Sequence, residues 1–516
     1  MNVLAAPSEA QTKAPPKNYP QSPGFWQIQN RVSLPIYVAA LAASISTWFI
    51  AIRAPLWLDE TGSYWQINAG FWQIWPRQFV CLSFPAYSYI LWLSTKLIGT
   101  SEIALRIPSV IAMLGAVYLL YLAAREVFER EIAIIAGAIF SLHPIVVFAA
   151  IDIRPYAFGV LATNAAILIL LRLRRSNSNW LAALLGLTSG WIIWFHYLLG
   201  PIVPALAICL IVFKFRDRKT LWRQFGIASA VFALTVLPVI PGLIHLFRTS
   251  RAHVYEDPPS PMHLAITLLP GPLLFIFCGT ALVAFLVFAA RRERTKSNGF
   301  EGWQLMVCAS LAFIPLSILY GVSVETSIHT FVPRHQLEAI PGIALCWAFA
   351  VSRFQARTIR LLFCVTLVAT TVFQCSTSPL SRSHDVSTKY ALEFAEKNAS
   401  VDDAPVVLCS GFVESDYSTM PSMETVKGSF FFAPLTYYKL SVPVVPLPRL
   451  MNDEAIRVAS RFLREAAQKR ERFLVVSYRS NSYGALDWFA DNAAATYSVQ
   501  KLGVFDQYEV LGFTPR

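Results

Sequence analysis

The chain has 516 residues, 55% of them apolar and only 14% charged, with apolar stretches long enough to cross a bilayer. A soluble α/β enzyme carries roughly a quarter of its residues as charges, so the composition excludes that class and predicts a polytopic α-helical membrane protein. The net charge of +12 does not point to nucleic acid: residues 1–376 hold 28 Lys+Arg against 15 Asp+Glu and residues 377–516 hold 15 against 16, so the excess belongs to the membrane part, where it sets topology.

Residues 1–31 form a polar, Pro-rich tail with Lys13, Lys17 and Arg31, expected in the cytoplasm. The first apolar segment, 32–52, is too long for the core of a signal peptide and reads as a retained transmembrane helix. Immediately after it comes WLDETGSYWQ, residues 57–66, with two adjacent carboxylates, Asp59 and Glu60. Further apolar segments lie at 84–99, 106–124, 131–150, 156–171, 180–196, 199–213, 225–246, 265–290, 304–322, 335–352 and 358–376.

The basic loops RLRR (172–175), KFRDRK (214–219), RRERTK (291–296) and RFQARTIR (353–360) decide which segments cross. If every segment crosses, these loops face away from the basic N-terminus and break the positive-inside rule. If 84–99 does not cross, they join REVFER (125–130) on the cytoplasmic side, with 20 Lys+Arg inside against 8 outside in the membrane region. That segment is short, opens on Pro85 and carries Ser83, Ser88, Ser94, Thr95 and Lys96, a composition suited to an interfacial helix. About eleven spans then form a membrane domain over 32–376, with a long first outer loop at 53–105.

The other outer segments are IDIRPY (151–156), FHYLLG (195–200), 247–263 and the stretch ending FVPRH (331–335). From about residue 377 to 516, β-type runs (406–410, 472–478) alternate with helical patterns (389–398, 453–468, 485–494), which predicts a small soluble α/β domain on the periplasmic side. The eight Cys show no CxxC spacing and imply neither a metal knuckle nor a disulfide framework.

Charged and polar groups gathered at one membrane face are candidates for function. Here they come from distant segments: Asp59 and Glu60, Asp152 and Arg154, His196, and Arg334 with His335. A carboxylate can take a proton from an attacking hydroxyl while arginines hold a phosphate leaving group. A phosphomonoester, with a second pKa of about 6, leaves without a general acid. Taken singly, each residue has a plainer reading. Asp59 or Glu60 caps a helix, Arg106 and Arg154 snorkel from helix ends, and His196 packs among Trp191, Trp194 and Tyr197. His143, in SLHP, reads as structural. Convergence on one face favours function.

WLDE, ALRIPS (104–109), DIRPY (152–156), FHY (195–197) and PRHQLEAIPGIAL (333–345) follow in the order and at roughly the spacing of membrane glycosyltransferases of the GT-C fold. The chain resembles the bacterial branch of the protein O-mannosyltransferase superfamily, which includes the aminoarabinose transferases of lipid A, over about residues 33–376 and more loosely beyond. The resemblance implies a polyprenyl-phosphate-linked sugar as donor and an acceptor hydroxyl on a lipid, glycan or protein. The active site would face the periplasm of the bacterial inner membrane. It also implies Asp59 as general base with Glu60 its motif partner, inversion at the anomeric carbon, and Arg106, Asp152, Arg154, Tyr156, His196, Arg334 and His335 around the donor phosphate and substrate. Many relatives read EARPY in place of DIRPY and an RY pair in place of Arg334–His335. No cofactor is expected; paired carboxylates could hold a divalent ion, but no DxD or three-ligand cluster supports one.

The rival reading is a polytopic transporter or a flippase for lipid-linked sugars. Such folds often show inverted repeats and charges at mid-membrane. This chain shows no internal similarity between its halves, and its charges sit at segment ends. A transferase is the preferred expectation, and released polyprenyl phosphate separates the two.

Overall fold

The computed structural model describes residues 25–81, 85–249, 258–268, 279, 302–326, 329–353, 359–367, 369, 387–478 and 484–516. Residues 1–24 of the tail, most of the segment 265–290, the basic loop 291–296 and the junction 377–386 lie outside the described residues.

In lipid a backbone must satisfy its own hydrogen bonds, so uninterrupted apolar runs become helices. Helix α1 (Phe25–Ser46) continues through a 3-10 turn to Ala51. The first outer loop supplies three short helices, α2 (Leu58–Asn68), α3 (Ile74–Cys81) and α4 (Pro85–Ile98). There follow α5 (Glu102–Val127), α6 (Arg130–Leu142), α7 (Pro144–Ile151), α8 (Tyr156–Arg174), α9 (Asn179–Phe195), α10 (Ile202–Lys214) and α11 (Arg218–Val236). The described bundle is completed by α12 (Ile240–Thr249), α13 (Pro261–Leu268), α14 (Gly302–Glu325) and α15 (Ile340–Ser352). Among the described residues six helical segments are long and apolar enough to cross a membrane, or seven if α6 and α7 form one span.

The segment 131–150, read from sequence as one continuous run, is bent by 71° between α6 and α7. The residue before a proline is pushed out of the helical region. His143 accordingly takes an extended backbone ahead of Pro144, and its Nδ1 accepts the Ile145 amide at 3.3 Å to cap α7.

Helix α5 packs along α8, α8 along α9, α9 along α11, α1 along α6, and α14 along α15. Two of these contacts close to backbone distance: a side chain at Gly186 would strike the Ala228 carbonyl across α9–α11, and one at Gly342 would strike the Leu311–Ala312 backbone across α14–α15. Small residues that let helices approach stand in for the hydrophobic drive that lipid does not supply.

The described residues of the basic loops meet at one end of the bundle. Arg175 pairs with Glu126 at 2.9 Å, Lys214 donates to the Ser176 carbonyl at 2.9 Å, and Arg360 pairs with Glu129. At the opposite end, the Leu56 amide donates to the Tyr438 hydroxyl at 2.6 Å and the Tyr437 hydroxyl donates to the Thr100 carbonyl at 2.9 Å. Adjacent tyrosines thus hold both ends of the segment 57–99, so that segment returns to the end it started from. Helix α4, 14 residues and about 21 Å long at 1.5 Å per residue, is shorter than the apolar core of a bilayer.

The C-terminal part forms a five-stranded sheet in the order β2 (Val444–Leu447), β1 (Val406–Cys409), β3 (Phe473–Tyr478), β5 (Tyr508–Pro515), β4 (Tyr497–Phe505). Strand β1 runs parallel to both neighbours, with Val406 opposite Val444 and Leu474, whereas β3–β5 and β5–β4 are antiparallel. All four residues of β1 are buried, as expected of a central parallel strand covered on both faces. Helix α16 (Ser387–Ala399) packs on β3, β4 and β5, while α17 (Asp453–Lys469) and α18 (Ala485–Ala493) pack against β2, β3 and β4. The sheet domain is docked on the outer-loop helices. Trp65 Nε1 donates to the Gly428 carbonyl at 2.9 Å, Lys389 pairs with Glu102 at 3.3 Å, and Gly62 lets the Phe430 ring lie close against α2.

Candidate active site

Between the docked domain and the bundle lies a cavity of about 880 Å³. Six of the nine residues singled out in the sequence line it: Asp59, Arg154, Tyr156, His196, Arg334 and His335. Each stands at an element boundary, where a polar side chain avoids lipid. Asp59 is in the first turn of α2, Arg154 and Tyr156 lie in the turn opening α8, His196 ends α9, and Arg334 with His335 begins the 3-10 segment Pro333–Ala339.

Asp59 Oδ2 pairs with Arg334 Nη1 at 3.2 Å, and the two side chains are 22% and 24% exposed. The Arg334 guanidinium lies 6.0 Å over the Trp57 ring. Arg154 stands close enough for the Asp59 and Asp152 carboxylates and the Tyr156 oxygen to hold its charge against burial; its Nε has no hydrogen-bond partner. One carboxylate and two guanidiniums therefore face the same space.

The His196 and His335 rings are 5.7 Å apart, and His196 also lies 5.3 Å from Tyr197 and 5.0 Å from Tyr156. Burial, then His335 and the two arginines, holds His196 well below the usual imidazole range. Burial in the wall, then Arg334, brings His335 to about 3.

The other three residues singled out, Glu60, Arg106 and Asp152, do not line the cavity and are buried. Glu60 and Arg106 are fully buried and paired at 2.7 Å. Glu60 also accepts the Ile153 amide at 3.0 Å and the Trp57 amide at 3.2 Å, so it is this residue, not Asp59, that caps α2. Arg106 donates further to the carbonyls of Ile52, Ala54 and Pro55. Asp152 accepts from Trp57 Nε1 at 3.1 Å, its Oδ2 is buried without a partner, and burial followed by the Glu60 carboxylate pushes its carboxyl well above the usual range. Asp59 and Glu60 are consecutive residues of the first helical turn of α2.

Two walls were not anticipated. Leu243, Ile244 and Phe247 of α12 with Ile318, Leu319 and Val322 of α14 make an apolar side. The sheet domain supplies Gly411–Glu414, Phe430 and Tyr478. Gly411–Glu414 follows β1 and Tyr478 ends β3, so both come from carboxyl ends of parallel strands, where open α/β sheets bind ligands. The β-type runs 406–410 and 472–478 carried that signal in the sequence.

Residues 83–245 match the family described as dolichyl-phosphate-mannose-protein mannosyltransferase. No curated protein matches the chain by sequence. Among solved structures, the chain is similar to ArnT from Cupriavidus metallidurans bound to undecaprenyl phosphate, with a TM-score of 0.55 at 13% identity over 92% of this chain and 97% of that one. The apo form of the same protein gives 0.55 at 13% identity over 93% and 98%. A weaker likeness, with a TM-score of 0.44 at 12% identity over 87% and 69%, is to the Archaeoglobus fulgidus oligosaccharyltransferase tethered with an acceptor peptide. The likeness to the ArnT structures over nearly the whole of both chains shows that this chain has the GT-C fold.

Proposed function

We propose that the chain transfers a hexose or pentose from a polyprenyl-phosphate donor to a hydroxyl on a lipid, glycan or protein acceptor, within the cavity between bundle and sheet domain. The observation that carries this reading is the meeting of Asp59 and Arg334 at 3.2 Å on a wall that also exposes Arg154. The guanidiniums take the donor phosphate, for which planar bidentate donors are suited. The apolar side formed by α12 and α14 takes the adjoining polyprenyl chain. The ArnT structure with bound undecaprenyl phosphate supports a lipid phosphate in this fold.

In the reaction, the acceptor oxygen bonds to the anomeric carbon as the bond from that carbon to the phosphate oxygen breaks. The acceptor proton passes to Asp59, and the electron pair of the broken bond leaves with polyprenyl phosphate. Attack from the face opposite the phosphate inverts the anomeric configuration. Arg334 balances both the Asp59 carboxylate and the phosphate. Among the described residues no three His, Cys, Asp or Glu side chains gather as metal ligands, and the proposed step draws its positive charge from the arginines.

Asp59→Asn keeps the shape of the side chain and removes the base. Transfer, followed as released polyprenyl phosphate, is expected to fall about 10²- to 10⁴-fold, the usual contribution of general-base catalysis. A folded variant that transfers at the wild-type rate overturns the assignment. Release that depends on Asp59 also separates a transferase from a carrier, which moves its cargo without cleaving it.

A further inference from the structure

The imidazole pair His196 and His335, which lines the same cavity as Asp59, is distinct from the two guanidiniums in what it can bind. His335 Nδ1 lies 3.0 Å from the Thr330 carbonyl, and a carbonyl oxygen only accepts, so the ring proton sits on Nδ1 and Nε2 carries the lone pair. The Thr330 contact, together with the turn in which the His335 amide donates to the Val332 carbonyl at 3.0 Å, fixes the ring orientation. His196 stands 5.7 Å away, stacked on Tyr197 at an interplanar angle of 12°, with its Nδ1 buried and without a hydrogen-bond partner among the described residues.

Two further positive charges beside Arg154 and Arg334 would repel one another in a half-buried wall, and the low proton affinity of both rings agrees with their remaining uncharged. Uncharged imidazoles add little to a phosphate site already served by two guanidiniums. They are suited to hydroxyl groups, which both donate and accept.

We propose that His335 and His196 form a subsite for the hydroxyls of the transferred sugar, His335 Nε2 accepting from one of them, next to the arginines that hold the phosphate. The inference rests on the transferase reading and assigns to this pair the choice among donor sugars.

The test measures equilibrium binding of undecaprenyl phosphate, and of the same lipid phosphate carrying glucose, mannose, galactose or arabinose, to purified full-length protein. Wild type is expected to bind at least one sugar-linked lipid more tightly than the bare phosphate. His335→Phe is expected to leave the bare phosphate within about two-fold and to weaken the preferred sugar-linked lipid about ten-fold, the size of one hydrogen bond. His335→Asn, which restores an acceptor, recovers part of that loss. His196→Phe, which leaves the Thr330 contact untouched, gives an independent reading if His335→Phe does not fold. Equal weakening of bare and sugar-linked lipid, no change in either, or a wild type that never distinguishes sugar-linked from bare lipid overturns the subsite. A wild type that binds no undecaprenyl phosphate at all overturns the transferase reading first.

Discussion

A helix turns about 100° per residue, so Asp59 and Glu60 leave the first turn of α2 in different directions. Asp59 reaches the cavity and Glu60 the interior. That divergence could not be read from the DE pair, because it depends on where the helix begins, and element boundaries are the least legible part of a sequence. His335 brings a second consequence at this scale. Its folded pKa is about 3 against an ordinary 6.5. Between these values the unfolded chain binds a proton that the folded chain does not, so stability rises with pH across the window and is lost as pH falls below about 6.5. Besides burial, Arg334 and Arg154 oppose protonation of the ring, and the Thr330 carbonyl favours it. Thermal unfolding in detergent should therefore occur at lower temperature at pH 5 than at pH 7, and His335→Phe should show a smaller drop. An unchanged pH dependence in the variant would remove His335 from this account.

At the scale of elements, the Glu60–Arg106 pair ties four segments together. Arg106 comes from α5 and Glu60 from α2, and their further partners are the carbonyls of Ile52, Ala54 and Pro55 after α1, the Ile153 amide ahead of α8, and the Trp57 amide at the start of α2. Asp59 and Arg154, the neighbours of Glu60 and Ile153, are thereby held on the same wall. Glu60→Gln leaves the Arg106 charge without its counter-charge in a site of zero exposure, a loss of about 3–5 kcal/mol for a buried pair. The expected signature is a lowered unfolding temperature, with the remaining folded protein still able to transfer; Asp59→Asn should do the reverse, since its pair is partly exposed and worth about 1 kcal/mol or less. If Glu60→Gln unfolds like wild type yet cannot transfer, Glu60 acts in the chemistry directly. The convergence of Asp59, Arg154, Tyr156, His196, Arg334 and His335 was legible because all stand at ends of apolar segments assigned to one face. The inward turn of Arg106 and Asp152 was not, because hydrogen bonding to distant backbone leaves no periodic trace.

At the scale of the whole molecule, the gathering of the described basic residues Arg175, Lys214 and Arg360 at the end away from the cavity could be anticipated from charge counts alone. The positive-inside rule then predicts that the cavity and sheet domain face away from the cytoplasm. Val401 is 81% exposed on the sheet domain. A cysteine placed there should react with a membrane-impermeant maleimide added outside spheroplasts, beyond the background of the native chain, and labelling only after lysis would invert the topology.

The contribution of the sheet domain to the cavity was less legible. Its docking relies on Leu56, Trp65 and Thr100 meeting Tyr438, Gly428 and Tyr437, pairs separated by more than three hundred residues. Gly411–Glu414 and Tyr478 line the cavity together with the apolar helices α12 and α14. On the proposed transferase reading the lipid takes the apolar side, so the acceptor is expected to meet these residues. Truncation before Ser387 should therefore abolish transfer while leaving undecaprenyl phosphate binding, because Arg154, Arg334, α12 and α14 all remain. Truncation also uncovers Trp65 and Leu58, so a full-length chain with residues 411–414 replaced by Gly and Ser provides the cleaner case. That chain should bind the lipid phosphate as wild type does and require a higher acceptor concentration for the same rate. Unaltered acceptor dependence in the replaced chain, with transfer retained after truncation, would leave the domain without a part in the reaction.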